Sequence, residues 1–186
     1  MGEQAGAEQM GAEQVDADPV NNVDEADLAA VEQQLGRRPR GVAAVAHRCP
    51  CGNPDVLRTE PRLPDGTPFP TTYYATCPRL TGAISTLETS GLMREMTGRL
   101  ADDPALAAAY AAAHAHYLRR RDELGEVPEI EGVSAGGMPS RVKCLHVLVA
   151  HSLAVGRGVN PLGDEALDAL EDWWAPGPCV PREGAL

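Results

Sequence analysis

Five cysteines and five histidines are the residues of this chain best equipped for chemistry. Cys49, Cys77 and Cys144 are candidate metal ligands, because deprotonated sulfur binds zinc and iron strongly. Their spacings, 28 and then 67 residues, match no short zinc-finger or ferredoxin template. Cys49-Pro50-Cys51-Gly52 looks like half of a zinc knuckle, but one residue separates its cysteines where two are usual. A buried free cysteine also packs as a small hydrophobe, so each of these residues has a purely structural reading as well.

Histidines are the natural fourth ligands. Cys144 and His151 are seven residues apart, which places them on one helix face but about 10 Å apart along its axis. Cys144 and His146 point to opposite sides of a helix containing both, and converge only if the helix starts after them. Either His146 or His151 completes the shell or acts as a base beside it. His114 and His116, two apart in an Ala-rich segment, face different sides and are poor joint ligands.

Arg141 and Lys143 put two positive charges at the predicted start of that same helix, and Lys143 is the only lysine of the chain. With backbone N–H groups after Gly136-Gly137, they form an anion-attracting corner suited to a phosphate or carboxylate on a small ligand. Such a corner favours a Cys144 thiolate. Solvation, or pairing with acidic neighbours, accounts for the two charges equally well.

The elements that must position these residues follow from pattern. Residues 1–23 are low-complexity and acidic, a disordered leader with little to bury. Eight of the 27 acidic residues and no Lys or Arg lie within the first 27 positions, so much of the net charge of −11 describes the N-terminal end, five of the eight falling in this leader. Asp24 caps a short helix carrying Leu28, Val31 and Leu35, closed by Gly36. Three β-like runs follow, Val42 to His47, Asp55 to Thr59 and Thr71 to Thr76, with a Pro64-Asp65-Gly66 turn between the last two. In a pair of hairpins, strands one and three run the same way, which brings Cys49 and Cys77 to one sheet edge. The rest is helical: about 79–90, 92–100 and 104–124, then, after a loop over 125–140, a helix from about Arg141 to Val155 capped by Ser140. A last helix ends near Trp173-Trp174, and residues 175–186 form a Pro-rich, frayed tail carrying Cys179. The expected fold is one α+β domain over 24–174, a small three-stranded sheet packed against several helices.

Composition excludes several classes. No run approaches about 20 apolar residues, so no membrane helix is expected. The first residues lack both the basic start and the apolar stretch of a secretory signal, which points to the cytoplasm. A basic footprint for nucleic acid is missing.

Taken together, Cys49-Pro50, Asp65 to Thr71, Tyr73-Tyr74, Thr76-Cys77-Pro78, Ser85 to Glu88, Lys143 to His146, His151 and Asn160 to Gly163 make the chain resemble the bacterial domain-of-unknown-function 501 family. The resemblance spans most of residues 26–172. It implies that Cys49, Cys77, Cys144, Lys143, His146 and His151 belong to the family pattern, whereas Cys51 does not. Many relatives carry a further histidine where this chain has Leu148. Family genes often neighbour those for enolase, a septum-formation initiator protein and an exopolyphosphatase. The reading from sequence is a zinc site built by Cys49, Cys77 and Cys144 with His146 or His151, beside Arg141 and Lys143 holding a small anionic ligand. An iron–sulfur cluster is the alternative cofactor. The rival functions are a metal-free enzyme with Cys144 as nucleophile, and a cell-division adaptor whose protein partner is unidentified.

Overall fold

The computed structural model describes residues 23–181, so the acidic leader, apart from Val23, and the last five positions lie outside the described residues. The first helix, α1 (Glu25–Leu35), begins at Asp24, whose side chain accepts from the Asp27 N–H in a reciprocal capping box, and stops at Gly36 in the left-handed conformation. Strands β1 (Val42–Arg48), β2 (Pro54–Thr59) and β3 (Tyr73–Ala75) form an antiparallel sheet in the order β1-β2-β3. A tight turn at Cys49–Asn53 joins the first pair, closed by the Cys49 N–H donating to the Asn53 carbonyl at 3.0 Å.

Helices α2 (Pro78–Glu88), α3 (Leu92–Asp102), α4 (Pro104–Asp122), α5 (Leu145–Val155) and α6 (Pro161–Asp168) complete the α+β domain. Alternation along β2 explains the layering. Leu57 joins Val45 and Val31 in a small core beneath α1, while Val56 faces the main core with Tyr73, Leu80, Ile84, Leu145 and Leu148. The sheet is therefore covered on both sides, and β2 is buried along most of its length. Arg48, at the end of β1, grips the buried Asp27 carboxylate of α1 through two bonds of 2.6 Å.

Helix α5 is central, as its apolar sequence predicts, with eight of its eleven residues buried. Its start differs from expectation. Cys144, extended at φ −153° and ψ 116°, is the residue before the first turn, and residues 141–144 are non-helical. The Lys143 N–H donates to the Gly136 carbonyl at 2.7 Å and the Arg141 N–H to that of Gly137 at 3.2 Å. That backbone pairing holds the segment out of the helix. The last helix is also shorter than expected, ending at Asp168 well before Trp173.

The expected fraying of the tail is not seen over its described part. The Asn53 amide donates to the Val180 carbonyl at 2.9 Å, Gln34 donates to the Cys179 sulfur at 3.4 Å, and Arg79 bonds the Gly177 carbonyl.

Candidate metal centre

The late start of α5 satisfies the one condition under which Cys144 and His146 meet. Cys144 lies outside the helix and His146 in its first turn, and the sulfur sits 3.8 Å from His146 Nδ1. Glu88, at the last turn of α2, brings an Oε1 to 3.2 Å from the same nitrogen. That oxygen also accepts the Leu145 N–H at 2.7 Å, so a carboxylate neutralises the positive end of α5. Among the described residues, Glu88, Cys144 and His146 are the group of three potential ligands whose donor atoms all lie within 4.8 Å of one another.

The other face of the imidazole decides its tautomer. His146 Nε2 lies 3.2 Å from the Thr81 carbonyl, which can only accept, so Nε2 carries a proton. Ser85 Oγ stands 3.4 Å away on the same side. Thr81, Ser85 and Glu88 therefore form one stripe of α2 that frames the ring. Hydrogen bonding to Cys144, then the charge of Glu88, raises the His146 pKa to about 9 against the opposing pull of burial.

A cleft of about 530 Å³ opens beside this group, with Gln34, Tyr74, Thr76, Pro78 and Thr81 on its walls and Cys144 and His146 among its lining. Apart from the site itself, these walls carry no formal charge. Arg141 and Lys143 are exposed and do not line the cleft. They precede the helix rather than occupying its first turn, so the basic corner lies beside the cleft and not within it.

The remaining predicted ligands are elsewhere. Cys49 lies beside Cys51 in the β1–β2 turn, where burial pushes its thiol up to about 12. Cys77 lies beside Cys179, and burial pushes it up to about 11. Cys49 and Cys77 do end two strands that run the same way, but β2 lies between those strands. Two inter-strand steps amount to about 9.5 Å, and neither cysteine belongs to the group whose donor atoms lie within 4.8 Å of one another. His151 is fully buried and committed on both nitrogens: Asn160 Nδ2 lies 3.3 Å from Nδ1, and His116 Nδ1 lies 3.0 Å from Nε2. All five cysteines are free, and one of them reaches the candidate centre.

A thiol–imidazole relay is also poorly served. In such a relay the nucleophile and the orienting carboxylate occupy opposite ring nitrogens. Here Cys144 and Glu88 share Nδ1.

Comparison with known families now bears on these residues. The model of the family described as "Protein of unknown function (DUF501)" matches residues 45–168, two thirds of the chain. The chain belongs to the DUF501 family. The matched span contains Glu88, Cys144 and His146 and stops before Cys179. No curated protein and no solved structure matches the chain. No helix among the described residues is long and apolar enough to cross a membrane. Glu88 is the ligand candidate that sequence reasoning on this DUF501 chain missed. Its signal was the polar stripe Thr81, Ser85 and Glu88 on a helix whose other face carries Leu80, Ile84 and Leu87.

Proposed function

We propose that this chain is a metal-binding protein in which Glu88, Cys144 and His146 hold one zinc ion, leaving a coordination position open to the adjoining cleft. The observation that carries this reading is the geometry about His146 Nδ1. With ordinary zinc bonds, the nitrogen–oxygen and nitrogen–sulfur edges of a tetrahedral site measure about 3.3 and 3.6 Å. The distances here are 3.2 and 3.8 Å. The Nε2–H on the Thr81 carbonyl is the usual outer support of a metal-bound histidine, and it leaves the Nδ1 lone pair for the ion. One sulfur, one nitrogen and one oxygen suit zinc better than magnesium or calcium, which prefer oxygen alone.

Three protein ligands with a fourth position open is the arrangement of catalytic rather than structural zinc. Zinc supplies Lewis acidity and a water acidified to near neutrality. The chain supplies a cleft with uncharged walls, in which the hydroxyls of Tyr74 and Thr81 offer hydrogen bonds to a polar ligand. Hydrolysis of a polar small molecule is the reaction class this combination supports.

The test is zinc content and affinity of the full chain after dialysis, alongside Glu88→Gln, Cys144→Ser and His146→Ala, with circular dichroism to show that each variant is folded. About one zinc per chain is expected, with affinity reduced roughly tenfold or more in each variant. Cobalt substitution should give visible absorption with a thiolate-to-metal band that Cys144→Ser abolishes. Folded variants that retain wild-type zinc affinity would overturn the reading.

A further inference from the structure

A second cysteine grouping lies next to Pro78, a residue of the cleft that Cys144 and His146 also line. Cys77 precedes the first turn of α2 and is 2% exposed, whereas Cys179 sits on the tail, half-buried against the same core that contains Cys77. The tail is tied down on both sides of Cys179. Arg79, two residues beyond Cys77, bonds the Gly177 carbonyl, and Asn53 bonds that of Val180. Gln34 donates directly to the Cys179 sulfur. Residues 177–180 are thus held against the start of α2, and the Cys179 side chain lies beside that of Cys77. Gln34 and Pro78 also line the cleft, so the segment that meets the tail is itself cleft wall.

From this geometry we propose that Cys77 and Cys179 form a reversible disulfide, a redox-sensitive latch that fastens the C-terminal tail to the wall of the cleft. The oxidant is a small-molecule disulfide. Cys179, the more accessible thiol, attacks it as thiolate, forms a mixed disulfide and releases one small thiolate. Cys77 then loses its proton to solvent and attacks the Cys179 sulfur, releasing the second small thiolate. Two protein thiols are oxidised by two electrons, and one small disulfide is reduced to two thiols. Burial, which keeps the Cys77 thiol protonated, makes its attack the slow step and protects the pair until Cys179 has reacted. The latch does not depend on the zinc reading, since neither thiol belongs to that site.

The experiment incubates the full chain with oxidised glutathione, blocks residual thiols, and maps peptides by mass spectrometry with and without a reductant. A Cys77–Cys179 linked peptide, two mass units lighter than its parts and lost on reduction, is expected as the main cross-link. Cys51→Ser should leave its yield unchanged. Cys179→Ser should abolish it and leave Cys77 unmodified, with circular dichroism showing the fold intact. Stable glutathione on Cys179 with Cys77 still free would overturn the proposal, as would a cross-link confined to Cys49 and Cys51.

Discussion

His151 Nε2 lies 3.0 Å from His116 Nδ1, and the two rings stack at 27° with His151 wholly inside the protein. The amide of Asn160 fixes the direction of this contact. Its oxygen accepts the Gly163 N–H, so its nitrogen faces His151 Nδ1, and the proton of the neutral ring sits on Nε2 and donates to His116. Tyr73 stacks on His151 and Tyr117 meets its edge, closing the ring off from water.

That enclosure makes the fold acid-sensitive. Burial, with a smaller contribution from His116, lowers the His151 pKa to about 3 from 6.5. Above 6.5 the ring is neutral folded or unfolded, and stability is complete. Between 6.5 and 3 the unfolded chain binds a proton that the folded chain refuses, so stability falls with pH, by about 2 kcal/mol at pH 5 from this residue. Urea unfolding at pH 7.5 and 5 measures the loss. In His151→Gln the slope over this window should shrink, and an equal slope would assign the acid sensitivity to other groups.

The Arg48–Asp27 pair predicts a different kind of sensitivity. Asp27 is fully buried and Arg48 partly so, so truncating the arginine strands a carboxylate beneath α1. Arg48→Met should destabilise the domain by about 3 kcal/mol, because an unpaired buried charge costs more than the pair contributes. Adding Asp27→Asn removes the charge and should recover much of that loss. Chemical denaturation of the two variants checks both statements; equal stabilities would mean that the pair matters through packing alone.

Much of this architecture was legible because its signals are local. Asp24 and Gly36 bound α1, Asp103-Pro104 opens α4, and Pro64-Asp65-Gly66 separates the second and third strands, each by a side-chain or backbone preference that acts within a few residues. The start of α5 was not legible. Ser140 is an acceptable cap, but the Gly136–Lys143 backbone pairing, made between residues seven apart, moves the first turn to Leu145. Both the meeting of Cys144 with His146 and the recruitment of Glu88 follow from that shift. Cys49 and Cys77 failed to meet for a topological reason: two strands that run the same way in a meander are neighbours of a third, not of each other.

Helix α6 crosses α5 at a point where only glycine fits. A Cβ on Gly163 would lie 2.4 Å from the Leu148 carbonyl oxygen and 2.4 Å from Ser152 Oγ. The first of these is helix backbone and cannot step aside, so the two helices would have to separate. Gly163→Ala should cost about 3 kcal/mol by overpacking, and lower the melting temperature by roughly 6–12 °C in a domain of this size. Thermal unfolding followed by circular dichroism tests this, with Gly98→Ala, a helical site with open space around its Cβ, as the neutral comparison.

The tautomer at His146 leads to the most specific expectation for the metal reading. Nε2 faces the Thr81 carbonyl at 3.2 Å and Ser85 at 3.4 Å, while Cys144 and Glu88 converge on Nδ1. A zinc ion held by all three side chains must therefore bind Nδ1, and the Nε2 proton must stay in place, because no acceptor other than Thr81 and Ser85 is needed to hold it. Nitrogen-15 NMR of the imidazoles during zinc titration distinguishes the two ring nitrogens directly. The Nδ1 resonance of His146 should move to a metal-bound position at one equivalent, with the Nε2–H slowed in exchange by its carbonyl partner. Metal on Nε2 would require the ring to turn away from Thr81 and would remove Glu88 from the shell, and that result would dismantle the three-ligand site.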